Sequence, residues 1–314
     1  MTTILYTHEV FSRHETPSGH PEQSARMTAV TNALAGPAFD GLVRRSAPTC
    51  SDEVLSSVHA SDHVALVRRA SAAAIERNEL IGLDPDTTMG PASLEASLRA
   101  VGAVVDAVDA VFSDVADNAF VAARPPGHHA EPNRVMGFCM FNAAAIAAVH
   151  ARHAHGASKV AVVDFDVHHG NGTQAAFWDD EHAFFASSHE YPQYPGTGLE
   201  TDRGAADNIM NVHLQTGAGS LDFQRAWGER LLPALNDFAP ELVIISAGFD
   251  AHVADPLGGL NLEDEDFAWA TREIGSVAHS VCDGRIVSLL EGGYNLAALG
   301  SSVAAHVACL MASD

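Results

Sequence analysis

Apolar residues fall into two rhythms along the chain. Short β-branched runs recur, several of them apolar at consecutive positions, which is the pattern of strands buried on both faces. They predict strands over residues 3–10, 118–124, 159–166, 182–188, 241–250 and 284–293. Between them the period lengthens. Leu94, Leu98, Val101, Val105, Val108 and Phe112 repeat at four- and three-residue steps behind Pro91, which predicts an amphipathic helix with a core-facing stripe. Residues 222–237, 263–280 and 295–311 read as further helices. Strand and helix in alternation predict an α/β fold, a parallel sheet with helices on both faces. No Gly/Ser linker, low-complexity tract or solenoid repeat interrupts it, so residues 1–314 are expected to form a single domain.

The unusual polar residues follow the ends of the predicted strands, after Ala123, Val163, Ala186, Ala247 and Leu290. Ligands of such sheets sit outside the carboxyl ends of the strands, so five marked strand ends point to one site. The charge balance narrows its partners. Forty acidic against 17 basic residues give a net charge of −23, which disfavours nucleic acid and anionic membranes. It suits a cationic partner such as a basic peptide or polyamine, and equally suits simple solubility. The four cysteines are far apart and form no CxxC pair, so neither a thiolate metal site nor a disulfide framework is expected. The start lacks a basic region followed by a long apolar stretch, and no apolar run approaches the ~18 residues of a membrane span. A cytoplasmic location is the expectation.

Four clusters carry the chemistry. In "VVDFDVHHGNGTQ", Asp164, Asp166 and His168 share one parity along an extended chain, and His169 takes the other. Carboxylate oxygen with imidazole nitrogen suits zinc or a similar divalent ion. An isolated Asp-x-His pair is more often a hydrogen-bonded strand end, so a third ligand from elsewhere in the chain is needed. Asp250, in "SAGFDAHVADPLGG", supplies one, and three protein ligands with a position left open is the pattern of catalytic zinc. Asp255 is read as a turn former, and His252 as a surface or supporting residue. In "RPPGHHAEP", His128 and His129 follow a stiff Pro-Pro-Gly turn, and a neutral imidazole beside a metal site suits general-base work. Asp164 and Asn171 are candidates to fix its tautomer. In "LLEGGYNL", Gly292 and Gly293 admit close backbone approach, and the Tyr294 phenol can donate to a developing oxyanion.

Together "RPPGHHAEP…GFCMFN", "DFDVHHGNGTQ", "SAGFDAHVADPLGG" and "LEGGYNL" resemble the zinc-dependent histone deacetylase family, in its class II and bacterial amidohydrolase branch. The resemblance begins at "GHPEQSAR" (residues 19–26) and covers nearly the whole chain. It implies an arginase-like fold with a central parallel sheet of about eight strands. It implies zinc held by Asp166, His168 and Asp250. His129 would be base and then acid, His128 its electrostatic partner. Asp164 would support His128, Asn171 would support His129, and Tyr294 would serve the oxyanion. Phe138 and Tyr194 would be the aromatic walls of an acyl-lysine tunnel, with Gly137 allowing close approach and Asp86 at the rim. A structural potassium or sodium ion would use Asp164, Asp166, His168, Ser187 and Ser188.

The same resemblance frames the substrate. Acetylated lysine side chains are the leading expectation, with acetylpolyamines or other small acylated amines the nearest alternative. Polyamine-preferring relatives place a glutamate after the third zinc ligand, where this chain has Leu257. A scaffold that binds acyl-lysine but barely turns it over is a further alternative, as is an arginase-type two-metal hydrolase. The first is disfavoured by the presence of Tyr294, the second by the small number of paired carboxylates.

Overall fold

The computed structural model describes residues 1–312. Eight strands form one wholly parallel sheet: β1 (Thr3–Thr7), β2 (Val43–Ser46), β5 (Asn118–Val121), β6 (Val160–Asp164), β7 (Ala183–Glu190), β8 (Ile209–Leu214), β9 (Leu242–Ala247) and β10 (Ile286–Leu290). Their spatial order is β2-β1-β5-β10-β9-β6-β7-β8. A two-stranded ribbon, β3 (Ile81–Gly82) with β4 (Thr88–Met89), stands apart. The four central strands β5, β10, β9 and β6 are buried at every position, as their unbroken apolar runs predict.

Helices cover both faces. α4 (Ser93–Phe112) and α5 (Ala143–His155) lie against β5, β10, β6 and β9. On the other side α9 (Asp264–Cys282) and α10 (Leu296–Ala312) pack together, with α1 (Ala25–Ala33) on α10. The remaining helices are α2 (Asp52–Leu55), α3 (Ser61–Arg77), α6 (Asn171–Phe177), α7 (Ser220–Ala226) and α8 (Leu232–Phe238). Local chemistry sets several ends. The Asn142 side chain accepts the Ala145 N–H at 2.9 Å to start α5, and Gly156 in a left-handed conformation ends it. Glu263 and Asp266 form a reciprocal capping box at the start of α9.

The structure corrects the sequence reading at several points. The first strand stops at Thr7, and Glu9–Arg13 forms a 3-10 turn. The strand before the metal motif stops at Asp164, so Asp166 and His168 lie on the turn beyond it. The predicted helix over 222–237 is broken, with a wider turn at Trp227–Leu231 between α7 and α8. On α4 the most buried face is made by Ala96, Ala100, Val101, Val104, Val108 and Val111. Leu94, Leu98, Val105 and Phe112 pack at its flank.

Candidate active site

The polar residues marked after Ala123, Val163, Ala247 and Leu290 converge at the carboxyl edge of the sheet, whereas Ser187 and Ser188, marked after Ala186, lie within β7, which runs on to Glu190. Beyond β6 the chain turns so that Asp166 and His168 face Asp250, just past β9. Their ligand atoms lie within 4.8 Å of one another and all three residues are buried. His168 Nδ1 is 3.1 Å from Asp166 Oδ1 and 3.2 Å from Asp250 Oδ2. Backbone holds the carboxylates in place: Asp166 Oδ2 accepts the Gly292 N–H at 2.8 Å, and Asp250 Oδ1 accepts the Val167 N–H at 2.8 Å. Glycine is required around them. A Cβ at Gly292 would collide with carboxylate oxygens of Asp250 and Asp166, and one at Gly248 with Asp166.

The electrostatics ask for a cation. Burial and the facing Asp166 push the Asp250 carboxyl up to about 7, against the pull of His168. Burial disfavours charge on His168, yet its bonds to Asp166 and Asp250 raise it to about 10. Two buried carboxylates around one imidazole form a donor set that a divalent ion fits: two hard oxygens, one nitrogen, no thiolate. Burial, distance and donor type are therefore all compatible with a divalent ion such as zinc.

The tandem histidines sit beside this seat with opposite tendencies. His128 Nδ1 lies 2.9 Å from Asp164 Oδ2. Burial opposes its charge, but Asp166, Asp164 and Glu291 outweigh it and raise its pKa well above the usual range. Burial lowers His129 well below that range, helped by His128 and His168. Its Nδ1 is 2.8 Å from Asn171 Oδ1. The Asn171 amide is oriented by donating to Glu131 at 2.8 Å and to the His129 carbonyl at 3.3 Å. His129 therefore carries its proton on Nδ1 and presents the Nε2 lone pair.

A cavity of about 210 Å3 leads to these groups, lined by Asp86, His129, Gly137, Phe138, His168, Gln193, Tyr194, Leu257 and Tyr294. Phe138 meets Tyr294 edge-on at 6.0 Å, and Tyr194 meets His129 edge-on at 5.2 Å, so the walls are aromatic. Phe138 holds a left-handed backbone (φ 67°) and is pinned by the Thr87 hydroxyl, which accepts its N–H at 3.0 Å. Gly137 also has positive φ (57°), and a Cβ there would run into the His129 ring. Asp86 is raised by burial and by its hydrogen bond to Asp84, a carboxyl pair at the mouth. A larger hollow of about 480 Å3 between β8 and α7 holds none of these groups.

The expected serines are nearby but engaged: Ser187 Oγ is 3.0 Å from His189 Nδ1, and Ser188 Oγ accepts the Trp227 indole N–H at 2.9 Å. His169 is buried against Gln174 and Thr197, both at 2.9 Å, away from the cavity.

Sequence reasoning missed several supporting residues. Asp255, read as a turn former, accepts the N–H groups of Tyr294 at 2.6 Å and Asn295 at 2.9 Å, so it also seats the tyrosine. Glu291 is buried and accepts the N–H groups of Gly127 at 2.7 Å and His128 at 3.1 Å. Arg26 donates to the Gly293 carbonyl at 2.6 Å and the Glu291 carbonyl at 2.5 Å, and its guanidinium lies 5.0 Å over the Tyr294 ring. The signal for Glu291 was a charged residue inside an otherwise apolar strand end. Arg26 carries no such mark: its Glu22 partner is one turn away, but the two carbonyls that it holds at the site are distant in sequence.

The chain is similar to known proteins along nearly its whole length. A family profile described as "Histone deacetylase domain" matches residues 20–310. Histone deacetylase 14, chloroplastic, of Arabidopsis thaliana is 37% identical across 99% of this chain and 77% of its own length. Polyamine deacetylase HDAC10 of Homo sapiens is 33% identical across 99% of this chain and 48% of its own length. The crystal structure of the HDA15 HD domain superposes with a TM-score of 0.93 at 34% identity, covering 99% of this chain and 88% of that one. The fold is thus the arginase/deacetylase fold, and the chain belongs to the histone deacetylase family of amide hydrolases.

Proposed function

We propose that the chain is a zinc-dependent amidohydrolase that removes acetyl groups from lysine side chains, releasing the amine and acetate. The observation that carries this reading is the meeting of a three-ligand seat, a neutral imidazole and a phenol at the foot of one aromatic-walled cavity. Asp166, His168 and Asp250 would hold the zinc, His168 through a deprotonated Nδ1. A zinc ion bound there supplies Lewis acidity, which polarises an amide carbonyl and makes water nucleophilic near neutral pH.

The remaining acts fall to side chains. His129 Nε2 accepts the proton of the attacking water, and the imidazolium returns it to the departing nitrogen. Asn171 keeps the tautomer that this requires. His128, charged and held by Asp164, favours negative charge building at the carbonyl. Tyr294 donates a hydrogen bond from its hydroxyl to the same oxygen as its charge grows, and keeps its proton. Phe138 and Tyr194 flank the apolar stem of the acyl-lysine, and Gly137 leaves room for it. Gly292 and Gly293 let the chain approach the seat. Asp86 at the mouth would orient the backbone or a cationic flank of the substrate. We assign a potassium or sodium ion to Asp164, Asp166 and His168, with Ser187 and Ser188 offering backbone oxygens while their hydroxyls serve His189 and Trp227. We take residues 1–314 as one catalytic domain acting in the cytoplasm, without nucleic-acid or membrane partners; among the described residues no helix is long and apolar enough to cross a membrane.

An acetylpolyamine or small acylamine substrate is the second reading. The Asp84–Asp86 pair at the mouth and the net charge of −23 favour it. Leu257, apolar at the cavity rim, argues against it. Comparing kcat/KM for an acetyl-lysine peptide and for acetylputrescine tests the choice. A large preference for acetylputrescine would overturn the acetyl-lysine reading.

A further inference from the structure

Three potential ligands meet far from the cleft. Asp109 lies near the end of α4, and His150 and His155 lie at the end of α5. Both helices lead into strand starts, α4 into β5 and α5 into β6. The cleft is at the strand ends, so this cluster sits at the opposite pole of the sheet.

The arrangement is compact. His150 Nε2 and His155 Nε2 each lie 2.7 Å from the same atom, Asp109 Oδ1. The three ligand atoms fall within 4.8 Å of one another. The rings are also held from outside the cluster. His155 stacks face to face on Phe112, with centroids 4.7 Å apart and planes 8° apart. Phe112 is one turn beyond Asp109, so α4 supplies both the carboxylate and the platform. The Arg285 guanidinium lies over the same Phe112 ring, 5.5 Å from its centroid. The side chains of His150 and His155 are 21% and 23% exposed and that of Asp109 is 49% exposed, so one side of the cluster opens to solvent.

Two imidazoles aimed at one carboxylate oxygen crowd a single acceptor. An ion among them would engage all three groups at once and leave its remaining positions to water. We propose that Asp109, His150 and His155 form a second divalent-cation site, separate from the catalytic seat, that takes zinc or another first-row ion with imidazole affinity. Its ligands come from two different helices, so its role is to tie the end of α4 to the end of α5. The ion links the two helices where their chains turn back into the sheet.

The test is an ion count by difference on the full chain. Wild type, His150→Ala and Asp109→Asn are equilibrated with zinc chloride at neutral pH and desalted, and bound zinc is measured by plasma mass spectrometry. The expected result is one zinc fewer per chain in each variant, with wild-type deacetylase activity in both. Zinc should also raise the Tm of wild type more than that of either variant. A difference between chains does not depend on whether the catalytic seat is filled, and an Asp250→Ala chain, which should keep the α4–α5 ion, separates the two sites. Equal zinc content in wild type and variants, or equal Tm shifts, overturns the proposal.

Discussion

Replacing Glu291 tests whether the tandem-histidine turn is held in place from behind. Burial pushes this carboxyl from 4.5 to about 7, against the pull of His128 and the Gly127 N–H. A folded-state pKa above the unfolded one means the folded chain binds the proton more tightly. Stability from this group is therefore full below about pH 4.5 and lost as pH rises through 7, at a cost of about 3 kcal/mol when ionised. The return is two hydrogen bonds, to Gly127 and His128. Leaving two buried N–H groups without an acceptor costs about 2–6 kcal/mol in total. These amounts nearly offset, so Glu291→Leu should shift Tm by only a few degrees. Activity should respond more. A displacement of about 1 Å in catalytic groups can cost about 100-fold. Glu291→Leu is expected to lower kcat by about that factor with bound zinc unchanged. Glu291→Gln keeps a carbonyl acceptor and should stay within about tenfold of wild type. Steady-state kinetics alongside metal analysis decide it. Wild-type kcat in Glu291→Leu, or equal losses in the two variants, would refute a positioning role.

Tyr294→Phe removes one donor to the developing oxyanion and should lower kcat by about 10²–10³ with KM little changed; an unaltered kcat takes Tyr294 out of the chemistry. Gly292→Ala puts a methyl group against the carboxylates of Asp166 and Asp250, so purified protein should carry less zinc at the catalytic seat while its near-UV circular dichroism stays native. Glu22 is buried, and although burial opposes its charge, Arg124 and His14 hold its carboxyl well below the usual range. Its contribution is therefore present above about pH 4.5 and lost as pH falls further. Glu22→Gln leaves Arg26 and Arg124 buried with a neutral partner, which should cost about 3–5 kcal/mol at neutral pH and flatten the acid side of the Tm profile.

How much of this was legible in the sequence depends on how local each signal is. The central strands β5, β6, β9 and β10 announce themselves by uninterrupted apolar runs, because both faces are covered. The outer strands do not. β2 is Val43-Arg44-Arg45-Ser46, mostly exposed, and carries no apolar run to mark it. β8 mixes buried positions with the half-buried Met210 and His213 and reads weakly beside its neighbours. α5 was missed although it is rich in alanine, since Ala143 to Ala148 shows little contrast between faces. The chemical clusters were legible because each is contiguous in sequence. Their supporting contacts were not. Glu131 orients Asn171 across 40 residues, and Glu291 reaches His128 across 163. Such pairs are made by the sheet order, which places β10 between β5 and β9.

That order also explains how two adjacent histidines acquire opposite characters. His128 and His129 share a backbone, a turn and near-complete burial, so desolvation disfavours charge on both. What separates them is the group that each Nδ1 reaches on the segment from the end of β6 to the start of α6. His128 finds the carboxylate of Asp164, at the last residue of the strand, and His129 finds the amide of Asn171, at the first turn of α6. A carboxylate stabilises an imidazolium, whereas an amide oxygen fixes a tautomer without adding charge. Once His128 is positive, its field further discourages a proton on His129, 4.0 Å away between ring centroids. A dication in the seat would cancel much of the attraction from Asp166 and leave Asp164 as the main partner of His128. The asymmetry is thus built chiefly by one Asp and one Asn seven residues apart, on either side of the turn that carries two of the proposed metal ligands.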